Sequence, residues 1–122
     1  MDQKNILIVE DEGIVSIDIR NILNRLGYYV CAVAFTGDEA VQKTEEFRPD
    51  LVLMDIGLKG KMDGIEAAGI IKKRFGTPII FLTGFADDNT LRLAKATDPA
   101  GYIVKPINEK ELQETIEKVF IS

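Results

Sequence analysis

A chain of 122 residues has room for one compact domain, and its 46% hydrophobic content suits a packed core rather than disorder. The formal net charge of −5 argues against direct nucleic-acid binding, because phosphate backbones attract basic surfaces. Histidine is absent, which removes it as ligand, general base or phosphoryl carrier, and no apolar run approaches the roughly 18 residues that suggest membrane insertion.

The N-terminal Met1-Asp2-Gln3-Lys4 lacks the basic start and long apolar stretch of a signal peptide. The first apolar run is Ile6-Leu7-Ile8-Val9, followed by the acidic Glu10-Asp11-Glu12. Val15, Ile19, Ile22, Leu23 and Leu26 then recur at helical spacing, with Gly27 as a C-terminal stop. Tyr29-Val30-Cys31-Ala32-Val33-Ala34 is a weaker strand suited to a position nearer an edge. Its Cys31 is the single cysteine, so no internal disulfide forms and a reducing, cytoplasmic setting is expected. Thr36 and Glu39 read as a capping box, opening a helix with Ala40, Val41, Thr44 and Phe47 inward. Leu51-Val52-Leu53-Met54 is the next strand, ending on Asp55. The helix after it places Ile65, Ala68, Ile71 or Lys72, and Phe75 on one stripe, weakened by about 1 kcal/mol at Gly69. Ile79-Ile80-Phe81-Leu82 ends at Thr83, and a short, loosely amphipathic helix spans about 88–96. Tyr102-Ile103-Val104 leads to Lys105-Pro106, after which Asn108 and Glu111 cap a helix lined by Leu112, Ile116, Val119 and Phe120.

The stronger strands are continuous apolar runs rather than alternating ones, the pattern of parallel strands covered on both faces. Strict strand–helix alternation with right-handed crossovers predicts an α/β three-layer sandwich, (βα)5. Five strands suit the flavodoxin-like order 2-1-3-4-5 better than a closed barrel, which needs eight. In such a sheet every strand ends on the same edge, and ligands bind where the order reverses. That rule brings Asp11 and Asp55 to the two sides of one crevice, with Thr83 and Lys105 beside them. Neighbouring carboxylates repel unless a cation intervenes, and hard oxygen ligands favour Mg²⁺. A carboxylate is also a nucleophile able to accept a phosphoryl group, with Lys105 and Thr83 to meet its oxygens. Singly, Asp11 and Glu12 equally fit charges at a helix N-terminus, and Asp55 fits a turn after a strand. Four successive strand ends carrying such residues fit coincidence far less well.

On these residues the whole chain, 1–122, resembles the receiver domain of two-component response regulators. Ile6 to Glu12 is similar to its first strand and acidic cluster, and Leu51 to Asp55 to its acceptor strand with Met62-Asp63-Gly64-Ile65-Glu66-Ala67 following. Pro78 to Thr83 is similar to its switch-threonine strand, and Gly101 to Pro106 to its lysine strand. The resemblance implies a phosphorelay domain, not an enzyme, that takes a phosphoryl group onto Asp55 from a histidine kinase or a phosphotransfer protein. It implies Mg²⁺ held by Asp11, Asp55 and the backbone carbonyl of Gly57, with Glu10 acting through water. It also implies a Lys105 contact to the phosphoryl group, a cis bond between Lys105 and Pro106, and inward movement of Thr83 and Tyr102 on phosphorylation. The face formed by the fourth helix, fifth strand and fifth helix would then meet a downstream partner or a second copy. Taken by themselves, Tyr102 equally fits a half-buried strand aromatic, and Gly57, Gly60 and Asp63-Gly64 equally fit loop geometry.

The sequence departs from the family's common pattern in the loop Asp55 to Gly64, which lacks the usual Met-Pro step and runs one residue longer. Gly57, two residues past Asp55, offers no side chain to orient water, and Phe85 stands two past Thr83 where a polar residue is common. Slow unaided hydrolysis of the acyl phosphate is therefore expected. A haloacid-dehalogenase-type phosphatase is an alternative, but Gly57 stands where that enzyme carries its second aspartate. The loop Glu10-Asp11-Glu12-Gly13 has no glycine-rich cradle, which disfavours a nucleotide or flavin site. A non-phosphorylated interaction module of the same fold usually lacks one of the acceptor, metal or lysine residues, and this chain has all of them. No output domain follows before Ser122.

Overall fold

Every apolar run becomes a strand, and alternation along each strand divides its side chains between two cores. The computed structural model describes residues 3–84 and 87–121. The elements are β1 (Asn5–Val9), α1 (Gly13–Arg25), β2 (Tyr29–Ala34), α2 (Gly37–Phe47), β3 (Leu51–Asp55), α3 (Gly64–Phe75), β4 (Ile79–Thr83), α4 (Asp88–Lys95), β5 (Gly101–Val104) and α5 (Glu109–Ile121). The strands form one parallel sheet in the order β2-β1-β3-β4-β5. The fold is thus the flavodoxin-like sandwich predicted above.

Ile6, Ile8, Leu51, Leu53, Ile80, Leu82 and Ile103 pack on Ile19, Ile22 and Leu23 of α1 and on Leu112 and Ile116 of α5. Leu7, Val9, Val52, Met54, Ile79 and Phe81 face Ala40 of α2, Ala67, Ala68 and Ile71 of α3, and Ala94 of α4. Both faces of the central strands are therefore buried, which is why β3 and β4 read as unbroken apolar runs. At the edge strand β2, the register against β1 slips between Ile6 and Leu7, leaving Cys31 unpaired in the ladder. Its thiol donates instead to the Ile6 carbonyl at 3.5 Å. This bulge accounts for the weaker strand signal there.

Local signals largely hold. The Glu39 amide donates to Thr36 Oγ1 at 3.1 Å, and the Glu111 amide to Asn108 Oδ1 at 2.9 Å. Ile71 rather than Lys72 enters the core, and Lys72 instead reaches Asp98 at 3.9 Å. Phe47 departs from expectation. It is 40% exposed because it sits in the last turn of α2, beside the left-handed Arg48 that redirects the chain. Helix α4 buries only Ala94, in keeping with its weak pattern.

Two glycines of α3 differ sharply in purpose. A Cβ on Gly64 would stand 2.0 Å from the Asp55 carbonyl oxygen, so the helix starts against the end of β3 only because this residue has no side chain. A Cβ on Gly69 would meet nothing within 4 Å. Gly64→Ala should lower unfolding free energy by about 1–3 kcal/mol through overpacking, whereas Gly69→Ala should raise it by about 1 kcal/mol. Urea denaturation would measure both, and a stable Gly64→Ala protein would refute the close approach.

Candidate functional site

Strand register places the polar residues. Val9 pairs with Met54, Asp55 with Leu82, and Thr83 with Val104, so the C-terminal ends of four strands lie side by side. Alternation then selects a face. Glu10 continues Ile6 and Ile8, Asp55 continues Leu51 and Leu53, and Lys105 continues Ile103, all toward α1 and α5. A cleft of about 470 Å³ at this edge is lined by Asp11, Asp55, Gly57, Lys59, Thr83 and Lys105, among others. Glu10 lies fully buried beneath it.

The geometry within the cleft is specific. Lys105 Nζ stands 2.8 Å from Glu10 Oε1 and 3.6 Å from Asp55 Oδ2. The first contact is a close ion pair, and among the described residues Glu10 Oε1 has no other polar partner. Glu10 Oε2 accepts from the Glu12 amide at 3.2 Å. Asp55 Oδ1 accepts from the Gly57 amide at 3.0 Å, and Asp11 Oδ2 from the Lys59 amide at 3.3 Å. Glu10, Asp11 and Asp55 each present an oxygen within 4.8 Å of the others.

Three carboxylates thus crowd together, and two of them, Glu10 and Asp55, face the Lys105 ammonium. Burial pushes the Glu10 carboxyl up to about 7, and although Lys105 pulls it down, the neighbouring Asp55 carboxylate adds to the rise. Burial opposes the charge of Lys105, but Glu10, Asp55 and Glu12 outweigh it and raise its pKa. Glu10 holds its proton more tightly than usual chiefly because it is buried, and Lys105 does so because carboxylates surround it. The donors are all oxygens, and the set fits a hard divalent cation such as Mg²⁺.

Thr83 closes β4, is nearly buried and lines the cleft. Tyr102 lies outside the cleft, with its ring stacked on Phe81 at 6.1 Å between centroids. Its hydroxyl is shielded from solvent, has no hydrogen-bond partner among the described residues, and has its pKa raised by burial. The inward position is therefore the one occupied here, rather than an exposed one. The Lys105–Pro106 peptide bond is cis. Phe85 lies outside the described residues. Sequence reasoning passed over Lys59, whose amide reaches a carboxylate 48 positions away, and the burial of Ile56 and Leu58 that fixes its loop. Apolar residues alternating with Gly57 and Lys59 were the available signal.

The raised Glu10 pKa has a consequence for stability. Between its ordinary value of 4.5 and about 7 the folded protein holds a proton that the unfolded chain releases. Stability contributed by this group therefore falls as pH rises across that window, by up to about 3 kcal/mol. In metal-free buffer, Glu10→Gln should flatten the pH dependence of the urea midpoint between pH 5 and about 7.5. An unchanged slope would show that Glu10 is ionised throughout.

Comparison with known proteins agrees with this geometry. Residues 6–117 match the response regulator receiver domain family. The transcriptional regulatory protein PdtaR of Mycobacterium tuberculosis is 35% identical over 114 residues, covering 93% of this chain and 55% of that protein. The chain spans about half the length of the curated relatives it matches. Among solved structures, the signal receiver domain of a modulated diguanylate cyclase from Desulfovibrio desulfuricans G20 superposes with a TM-score of 0.94 at 38% identity, covering 98% of this chain and 95% of that one. The receiver domain of a sensor histidine kinase from Pseudomonas aeruginosa PAO1, with a magnesium ion coordinated in its active site cleft, gives 0.88 at 31% identity over 99% of this chain and 100% of that one. With the family match spanning nearly its whole length and an acidic cluster at the sheet edge, this chain belongs to the response regulator receiver domain family.

Proposed function

We propose that residues 1–122 are one receiver domain in which Asp55 accepts a phosphoryl group from a histidine kinase or a phosphotransfer protein. The convergence of Asp11, Asp55, Thr83 and Lys105 on one cleft carries this reading. One Asp55 oxygen bonds to phosphorus while the bond from phosphorus to the donor's imidazole nitrogen breaks, its electron pair leaving with the nitrogen. The Gly57 amide fixes Asp55 Oδ1, while Oδ2 faces Lys105. Lys105 and the Thr83 hydroxyl contact the phosphoryl oxygens. Asp11, Asp55 and the Gly57 carbonyl would hold Mg²⁺ directly and Glu10 through water; bound there, the ion supplies the positive charge that the carboxylates lack. The magnesium-bearing Pseudomonas relative supports this choice of metal.

Phosphorylation is read out through Thr83 and Tyr102 onto the α4-β5-α5 face. Leu93 and Val104 there are 50% and 60% exposed, a surface suited to a downstream protein or a second copy of the chain. On the donor side, Phe35 after β2 is exposed at the cleft and Ile17 of α1 is exposed beside Phe35, which favours a protein donor. The domain turns over no external substrate, because Gly57 cannot serve as acid or base. Among the described residues no helix is long and apolar enough to cross a membrane. We place the domain in the cytoplasm, where its lone cysteine stays reduced, and assign it no direct nucleic-acid contact.

Incubation with acetyl phosphate and Mg²⁺ should add one phosphoryl group by mass spectrometry, and Asp55→Asn should abolish it. Omitting Mg²⁺ should slow labelling at least tenfold, an estimate of about 1.4 kcal/mol or more in the barrier. The acyl phosphate should persist for minutes or longer, and generic phosphate monoesters should not turn over. Labelling at another residue would contradict the assignment, and a lifetime of seconds would contradict the slow hydrolysis expected from Gly57.

A further inference from the structure

The loop between β3 and α3 presents a second lysine to the cleft. Ile56 and Leu58 are buried at 8% and 6% exposure, so the intervening Gly57 and the following Lys59 face outward. The Lys59 amide is tied to Asp11 Oδ2 at 3.3 Å, which fixes its backbone beside a carboxylate from the other side of the crevice. Lys59 lines the same cleft as Asp55, Thr83 and Lys105. Its position is therefore set by two apolar anchors and one long-range hydrogen bond.

The charge balance gives this lysine a task. Lys105 is drawn toward Glu10 at 2.8 Å and Asp55 at 3.6 Å. Lys59 is exposed and forms no ion pair with a described residue, although Asp11 is adjacent. Its amide, not its ammonium, bonds that carboxylate, which leaves the ammonium free on a flexible four-carbon stem rooted beside the cleft. An incoming phosphoryl group brings further negative charge into a site already dominated by carboxylates.

We propose that Lys59 is a second cationic contact for the phosphoryl group, a specificity-determining residue that raises the affinity of the cleft for an anionic phosphoryl donor. This rests on the reading of Asp55 as acceptor. Lys105 meets the phosphoryl oxygens from the β5 side, and Lys59 meets them from the loop side, where Gly57 leaves the approach open. The bonds made and broken are unchanged, since Lys59 lends charge and takes no proton.

The test uses the whole chain and beryllofluoride, a phosphoryl mimic, titrated calorimetrically at saturating Mg²⁺. Lys59→Gln should weaken beryllofluoride binding about five- to tenfold at low ionic strength, and added salt should shrink the difference. Lys59→Arg, which keeps the charge, should stay within about twofold of the parent. Mg²⁺ affinity, titrated alone, should hold or rise slightly in Lys59→Gln, because a competing cation has been removed. With acetyl phosphate, the half-saturating concentration should rise while the maximal labelling rate changes little. A Lys59→Gln protein that binds beryllofluoride as tightly as the parent overturns the proposal. So does a parallel loss of Mg²⁺ and beryllofluoride affinity, which would mark Lys59 as a mere support for the loop. A parent protein that binds Mg²⁺ but neither beryllofluoride nor a phosphoryl group at Asp55 would overturn the acceptor reading itself, before any variant is made.

Discussion

Three carboxylates crowd together at the C-terminal edge of the sheet, two of them against the ammonium of Lys105, and the rest of the structure is arranged around that crowding. Glu10, Asp11 and Asp55 would spread apart in water. Here they cannot, because each is rooted in or beside a strand whose other side chains fill two cores. Moving Asp55 away from Lys105 means sliding β3 against β1 and β4, which would uncover Leu51, Leu53, Val52 and Met54 together. Apolar burial at about 25 cal/mol per Å² offsets the repulsion and keeps the charges close. A site held in this way has an unmet demand for cations, which is what suits it to a hard divalent metal ion.

The same register links the charged corner to a distant surface. Thr83 ends β4, and its carbonyl accepts from the Lys105 amide at 2.8 Å, so the acidic cleft and the start of the β5–α5 connection share a hydrogen bond. One strand over, Tyr102 stacks on Phe81, two residues before Thr83. A shift of Thr83 therefore reaches the Tyr102 ring through the β4–β5 ladder. Helix α4, on the same side of the sheet as Phe81, is eight residues long and contributes only Ala94 to the core. Little burial opposes its displacement, as expected of an element that moves. This contrast between a rigid sheet and a lightly held helix supports the proposed output face.

The fold was legible because its rules are local or periodic. Unbroken apolar runs announced the two-sided burial of β3 and β4, and the Thr36–Glu39 and Asn108–Glu111 pairs marked real helix starts. The ends of the strands could be aligned from topology alone, which brought Asp11, Asp55, Thr83 and Lys105 into one cleft. What escaped were facts set by chain segments far apart in sequence. Phe47 follows the inward period of α2 and yet is exposed, because periodicity does not say where the covering surface stops. The direct pairing of Lys105 with Glu10, and of the Lys59 amide with Asp11, depends on side-chain placement that strand order leaves free. Gly64 looked like half of a turn pair, and only its closeness to the Asp55 carbonyl shows that a helix is packed on the backbone of Asp55 itself.

Gly57 and Gly64 bear on the proposed role of the domain as a switch rather than a hydrolase. An aspartyl-phosphate enzyme must bring an acid or base to the acceptor in every cycle. The residue two past Asp55 is the natural place for it, because its backbone already hydrogen-bonds the acceptor's Oδ1. A Cβ on Gly57 would meet Asp55 Oδ1 at 3.7 Å, an ordinary contact, so the backbone would accept a side chain there. At Gly64 there is no such freedom, since a side chain would strike the acceptor's carbonyl. One glycine is thus required by packing and the other is not. Under the proposed function, the missing group at Gly57 would leave an acyl phosphate on Asp55 without a partner to activate water, and slow loss of that phosphate would suit a state read by a protein docked on α4, β5 and α5.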